Sequence, residues 1–231
     1  MIPIYDDNPT RRLTWLTITL VLANVVVFAY ELSLSPAELN AFIARWAFTP
    51  SAFFAAPTDP HQLATVVTAA FMHGGWLHLG GNLLYLWIFG NNIEDRLGSW
   101  RFGLFYLLSA AVATFSQAAA EPGSAVPVVG ASGAIAGILG AYLVLFPRAR
   151  VMTLIPIFFY IELAAVPSAF VIGFWFVLQL VQGLGSIGAA TAGGVAWWAH
   201  VAGFVFGLVT MAPVAAVHAT RQARRNGRRR R

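Results

Sequence analysis

The stretch GASGAIAG, residues 130–137, determines how the rest of the chain is interpreted. It begins an apolar run that ends near Phe146, yet it contains three glycines and a serine. Both residue types lower helix propensity, and glycine packs no side chain. In a membrane, however, small residues let a neighbouring helix approach closely. The stretch therefore predicts a tightly packed transmembrane helix with the Ser132 hydroxyl near its start.

The whole chain has the composition of a membrane protein. Of its 231 residues, 58% are apolar and only 10% are charged, a balance typical of long membrane spans. It contains no cysteine, which excludes disulfides and thiolate metal sites. The first 12 residues are mixed in charge and precede a span too long for a signal peptide. We expect residues 1–12 to form a cytoplasmic N-terminal segment.

Six apolar stretches are long enough to cross a bilayer, which needs about 20 residues. They are 13–32, 76–93, 102–120, 130–146, 167–184 and 195–217. The outer loop between the first two, residues 33–75, is moderately apolar and is expected to lie in or on the membrane. Within it, SPAELNAFIARWAF predicts a short helix that begins at Ser35 or Pro36.

The arginines decide the number of spans. With six spans, 13 of the 14 arginines lie on the side of the N-terminus and only Arg45 lies opposite. Counting the apolar residues 151–166 as a seventh span divides the arginines 6 against 8. The positive-inside rule favours six spans with both termini in the cytoplasm. Residues 151–166 then become an interfacial or re-entrant piece, and 218–231 a basic tail that contacts anionic lipid rather than nucleic acid.

These inferences predict an all-α membrane protein whose six helices occupy residues 13–217. Spans two, four and six run from outside to inside, so their first residues share one depth near the outer face. Polar residues within spans are costly and mark candidate sites. At this depth they are Ser132, His200, His78 and Asn82.

Small residues share the helix faces that carry Ser132 and His200. Positions three, four or seven apart lie on one side of a helix. The residues expected to pack these two helices together are Ala136, Gly137, Gly140, Gly203 and Gly207. If the two faces meet, the Ser132 hydroxyl reaches hydrogen-bond distance of the His200 imidazole.

A serine beside a histidine is the minimal activated nucleophile. The neutral imidazole takes the hydroxyl proton and later returns it to the leaving amine. His78 and Asn82 lie four residues apart and can donate to an oxyanion together with the Ser132 amide. No carboxylate occurs at this depth in the three spans, so a dyad without metal or cofactor is predicted. The alternatives are a metal site formed by His73, His78 and His200, and polar contacts that only join helices.

The motifs HGGWLHLGGN, GASG and AHVAGFVFG, in this order within a six-span chain, resemble the rhomboid family of intramembrane serine proteases. The resemblance covers about residues 13–217 and implies that Ser132 is the nucleophile and His200 the general base. It implies an oxyanion and substrate-binding set of His78, Asn82, His73, Gly130 and Gly133. It also implies cleavage of single-span membrane proteins, which would enter beside span five, in the cytoplasmic or inner membrane of the cell.

The chain departs from the family pattern at two places. A Trp-Arg pair that some members carry in the first loop is absent from LATVVTAAFMH. Ala136 stands where many members have an aromatic residue beneath the histidine ring, so another group must orient His200, with Trp197 and Trp198 as candidates. Two other functions compete with the protease: a non-catalytic binder of membrane helices, and a small transporter or channel.

Overall fold

Helix α8, Ser132–Leu145, lies at the centre of the fold. Every residue from Gly133 to Tyr142 is buried, and α8 packs most extensively against helices α7 and α10. The computed structural model describes residues 1–186 and 195–229, with side chains up to residue 217. The helices are α1 (Trp15–Ser33), α2 (Pro36–Trp46), α3 (Pro50–Ala55), α4 (Pro60–Thr68), α5 (Trp76–Tyr85), α6 (Asn91–Leu97), α7 (Ser99–Ala120), α8, α9 (Ser168–Gly185) and α10 (Trp197–Arg229).

Four of these helices are long and apolar enough to cross a membrane: α1, α7, α9 and the first part of α10, Trp197–Val217. The second predicted span is helical from Trp76 to Leu97, but a wide π-type turn at Leu86–Gly90 separates α5 from α6. The fourth is α8, whose 14 residues extend roughly 21 Å. This is shorter than the other spans, and Ser132 is its first residue.

The segment before α8 is not helical, and its backbone forms hydrogen bonds with the outer loop. Val128 and Phe48 exchange backbone hydrogen bonds of 2.7 and 3.3 Å, and the Gly130 N–H donates to the Ala69 carbonyl at 2.8 Å. The loop itself is helical. Its α2 begins where the sequence predicts, after Ser35, which forms a reciprocal capping box with Glu38. We call this end of the bundle the loop end.

The predicted close approach of the fourth and sixth spans is visible between α8 and α10. A Cβ added at Gly203 would collide with the Gly133 carbonyl, and one added at Gly207 with the Gly137 carbonyl. A Cβ at Gly140 would meet the Phe204 carbonyl in the same way. The glycines therefore let the two backbones touch without intervening side chains.

The opposite end of the bundle, which we call the sheet end, carries a three-stranded antiparallel sheet that the all-α prediction did not include. Strand β1 (Ile2–Asp6) pairs with β2 (Arg150–Ile157), and β2 pairs with β3 (Tyr160–Pro167). Residues 151–166 thus form a β-hairpin that the sequence did not predict, and their place as an interfacial or re-entrant piece stays a prediction. Extended β-branched and aromatic residues in VMTLIPIFFYIELAAV favour this outcome. Asp6 of β1 accepts hydrogen bonds from Tyr142 and Asn92, which fasten the sheet to the bundle.

Candidate active site

Ser132 and His200 form a hydrogen-bonded pair between α8 and α10. The Ser132 Oγ lies 2.8 Å from His200 Nε2, within the range of an O–H···N hydrogen bond. Ser132 is the first residue of α8, and His200 lies one turn into α10. The glycine contacts described above bring the two helices close enough for this distance.

The other ring nitrogen of His200 has a partner on a third helix. His200 Nδ1 lies 2.7 Å from the Oε1 atom of Gln179 on α9. Of the two tryptophans that the sequence offers to orient His200, Trp197 presents its ring edge-on to the imidazole at 6.2 Å between centroids. Trp175, which was not predicted, lies tilted against the same ring at 5.9 Å. The Trp198 backbone N–H instead donates to Gln117 on α7 at 3.1 Å. Gln117 thereby caps the first turn of α10.

The pair faces a cavity of about 510 Å³ at the loop end. Ser132, His200, His78 and Asn82 all line it, as does Gln179. The structure therefore brings together the four polar residues that the sequence places at one depth. A cavity of this size accommodates a short peptide segment, and its walls combine apolar side chains with a few convergent polar groups.

His78 lines this cavity, and its Nε2 atom lies beside Gly130. The Gly74 N–H donates to His78 Nδ1 at 3.4 Å, so the ring proton of the neutral imidazole belongs on Nε2. Gly130 has a φ of +116° that favours glycine, and a Cβ there would lie 2.6 Å from His78 Nε2. Only glycine fits at residue 130 with His78 in this place.

Asn82 carries an unused hydrogen-bond donor. The side chain is 7% exposed, and its Nδ2 atom has no hydrogen-bond partner among the described residues. It lies on the same side of Gly130 as His78, because the added Cβ would also be 3.6 Å from Asn82 Nδ2. A buried amide without a partner is destabilising. This free donor lies at the wall of the cavity that Ser132 and His200 also line.

His73 does not line this cavity. Its ring packs edge-on against His78 at 5.1 Å, and its backbone N–H donates to Glu31 Oε2 at 3.3 Å. Burial, with His78 as neighbour, lowers the pKa of His73 to about 4, so the ring is neutral at pH 7. Gly133, the other glycine of GASG, faces Ala113 of α7 rather than the cavity. Among the described residues, no three His, Asp or Glu side chains converge as a metal site would require.

Gln179 was not among the residues predicted from the sequence, because it lies away from the first residues of spans two, four and six. Gln179 stands in the apolar stretch FWFVLQLVQ of span five. The rule that polar residues inside spans mark functional sites could have identified it. Gln117, inside span three, carries the same signal.

The chain is a helical membrane protein with a hydrogen-bonded serine–histidine pair at the wall of a cavity. Sequence comparison gives its family. The family profile of the Rhomboid domain matches residues 60–216. The chain belongs to the rhomboid family.

Its curated relatives include named proteases. Rhomboid protein 1, mitochondrial, of Saccharomyces cerevisiae is 38% identical over 92 residues, which are 38% of this chain and 27% of the relative. Rhomboid-type serine protease 2 of Emericella nidulans is 35% identical over 83 residues, 36% of this chain and 16% of the relative. Rhomboid protease GluP of Bacillus subtilis is 34% identical over 128 residues, 55% of this chain and 24% of the relative. The chain thus matches about a quarter or less of the length of these three proteins.

Proposed function

We propose that this protein is an intramembrane serine endopeptidase that cleaves transmembrane protein substrates. The observation that carries the proposal is the 2.8 Å contact between Ser132 Oγ and His200 Nε2 at the wall of a cavity lined by His78 and Asn82. Membership of a family with named serine proteases supports the same reaction.

In the first half of the reaction, Ser132 Oγ attacks the scissile carbonyl carbon while its proton passes to His200 Nε2. The carbonyl oxygen becomes an oxyanion, and we expect three groups to donate hydrogen bonds to it. They are the Ser132 backbone N–H, the His78 Nε2–H and the unpaired Asn82 amide. The imidazolium of His200 then gives the proton to the leaving amine, the C–N bond breaks, and an acyl-enzyme remains.

In the second half, water gives its proton to His200 and attacks the acyl carbon. The tetrahedral intermediate collapses, Ser132 leaves with the proton from His200, and the carboxylic acid product is released. A substrate helix must unwind locally first, because its carbonyls are engaged in its own hydrogen bonds. The short α8 and the cavity above it leave room for an unwound segment at the depth of Ser132.

We place the protein in the cytoplasmic or inner membrane with six spans, with the sheet end in the cytoplasm and the loop end outside. This orientation puts 13 of the 14 arginines on the cytoplasmic side. A green fluorescent protein fused after Arg231 should then fluoresce, because it folds in the cytoplasm. A fluorescent signal only from a fusion made within residues 33–75 would reverse the orientation.

The decisive test is labelling by a fluorophosphonate that reacts with activated serines. The wild-type protein in detergent should be labelled, and so should Ser33→Ala, whose serine does not line the cavity. Ser132→Ala and His200→Ala should not be labelled, although size-exclusion profiles stay unchanged. Folded wild-type protein that takes no label, while still retaining single-span proteins on affinity capture, would indicate a non-catalytic binder instead.

Cleavage itself needs a substrate panel. Tagged single-span proteins should be co-expressed with the wild type, Ser132→Ala and His200→Ala. Fragments that appear with the wild type and with neither variant, at equal enzyme levels, would establish endopeptidase activity. Fragments that persist with both variants would assign the cleavage to another protease.

A further inference from the structure

The hydrogen bond between His200 and Gln179 adds a third participant to the site, on a helix that carries neither the nucleophile nor the base. Gln179 is 8% exposed, and its Oε1 atom lies 2.7 Å from His200 Nδ1. We propose that Gln179 is a positioning residue that fixes the tautomer and orientation of His200, and so makes the reactivity of Ser132 depend on how α9 is seated. This inference rests on the proposed function.

The tautomer follows from the two partners of the ring. His200 Nε2 can accept the Ser132 proton only if it carries none itself, so the single proton of the neutral imidazole must be on Nδ1. An Nδ1–H needs an acceptor, and the Gln179 amide oxygen supplies one. Without it, nothing in the hydrogen-bond pattern favours this tautomer over the one in which Nε2–H blocks the transfer.

Ring orientation follows from the same contact. Residue 136 is an alanine buried under α10, so no aromatic ring from α8 supports the imidazole. Trp175 and Trp197 lie near the His200 ring at 5.9 and 6.2 Å, but neither stacks face to face on it. The directional contacts of the imidazole are therefore those to Ser132 and Gln179. Two hydrogen bonds at opposite ring nitrogens define the plane of the ring.

An aromatic contact one helical turn from Gln179 fixes the position of α9 against α10. Phe176 of α9 stacks on Phe204 of α10 at 4.2 Å with an interplanar angle of 18°. Phe176 precedes Gln179 by three residues and Phe204 follows His200 by four, so the aromatic and polar contacts form adjacent layers. The phenylalanine layer holds the two helices at the distance that the 2.7 Å hydrogen bond requires. A loosened α9 should therefore act on catalysis through Gln179.

The first test compares three variants in the intact protein. Gln179→Met keeps the shape and removes the acceptor, Gln179→Glu keeps an acceptor oxygen, and Gln182→Met makes the same change at an exposed position of α9. We expect Gln179→Met to slow fluorophosphonate labelling and to lower kcat, with KM unchanged. The loss should be about 10- to 100-fold, part of what a general base supplies. Gln179→Glu should restore most of the rate, and Gln182→Met should match the wild type.

The second test measures the coupling to α9. Phe176→Ala should lower kcat in the wild-type background but have little further effect in the Gln179→Met background, because the bond through which it acts is already lost. Thermal unfolding in detergent should show each variant folded. Additive losses from Phe176→Ala and Gln179→Met would contradict the coupling.

The outcomes distinguish a failure of the Gln179 proposal from a failure of the proposed protease function. If the wild type and Gln179→Met are labelled at the same rate, Gln179 does not position His200, and the proposed protease function still stands. Equal slowing by Gln179→Met and Gln179→Glu would assign the residue a packing role only. A folded wild type that is not labelled and cleaves nothing would overturn both the protease and this inference.

Discussion

Glu94 at the sheet end and Asn82 at the loop end are almost equally buried, at 2% and 7% exposed, but only one of them has its hydrogen bonds satisfied. The Glu94 carboxylate accepts from the backbone N–H groups of Leu16 and Thr17 and from the Thr17 and Ser99 hydroxyls, all within 3.0 Å. It thus caps the N-terminus of α1, where a negative charge is favoured. The Asn82 Nδ2 atom has no partner among the described residues.

This difference suits Glu94 to stabilising the fold and Asn82 to the proposed function. A carboxylate with four donors stabilises the junction of α1, α6 and α7, whereas an unpaired buried amide weakens the fold at its own position. A protein retains this loss of stability where a binding site needs a free hydrogen-bond donor for an acceptor that is present only in the bound substrate. Four predictions test the contrast.

The largest expected effect is at the loop end. Asn82→Ala should lower kcat by about 100- to 1,000-fold, because it removes one of the three proposed oxyanion donors. Its thermal unfolding midpoint should stay the same or rise, since no existing hydrogen bond is lost. Kinetics on a cleaved substrate and a melting curve in detergent measure both. A clear fall in the midpoint would mean that Asn82 is a structural residue.

At the sheet end the pattern should reverse. Glu94→Ala leaves several buried donors of α1 without an acceptor and should destabilise the protein by about 3 kcal/mol. Activity per folded molecule should change little, since Glu94 lies at the opposite end from Ser132. Glu162→Ala, an exposed glutamate on β3, serves as the control and should leave the midpoint unchanged. Equal midpoints for the two variants would refute the capping role.

The glycine contacts connect the two ends and should affect both properties. Gly207→Ala drives a Cβ into the Gly137 carbonyl and should cost about 2 kcal/mol through overpacking, while it also separates Ser132 from His200. Gly173→Ala on α9 meets nothing within 4 Å, and should keep activity and raise the midpoint slightly. Melting curves and labelling rates should diverge between these two substitutions; similar behaviour would disprove the close packing of α8 on α10.

The smallest effects concern pH, with opposite signs at the two ends. Burial raises the pKa of Asp6 above its ordinary value of 3.8, although Tyr142 and Asn92 donate hydrogen bonds to the carboxyl group. The stability that this raised pKa contributes is therefore fully present below pH 3.8 and is lost as the pH rises through the pKa of the folded state. Burial lowers the pKa of His73 from 6.5 to about 4. Because the unfolded chain then binds a proton more readily than the folded one, stability falls as the pH falls from 6.5 towards 4. Asp6→Asn should abolish the first slope and His73→Gln the second in unfolding midpoints measured across this range. Unchanged slopes in both variants would show that neither group is linked to folding.

Much of this architecture could be predicted from the sequence because its signals are local. Apolar length, arginine placement and small residues at helical spacing predict the spans and the contact between GASGAIAG and AHVAGFVFG. The capping box at Ser35 is equally local, and the structure confirms the helix that it begins. The sheet escaped prediction because β1 and β2 are separated by more than 140 residues, and apolar strands in a membrane chain resemble interfacial segments.

The sequence by itself determined which polar residues can share one depth, since a helix places them by counting along one chain. Only the tertiary structure decided that Gln179 completes the pair, that Gly130 makes room for His78, and that Asp6 holds Tyr142 at the far end of α8. Each of these contacts joins helices or strands distant in sequence, and their partners are selected by packing in three dimensions, which no local pattern encodes.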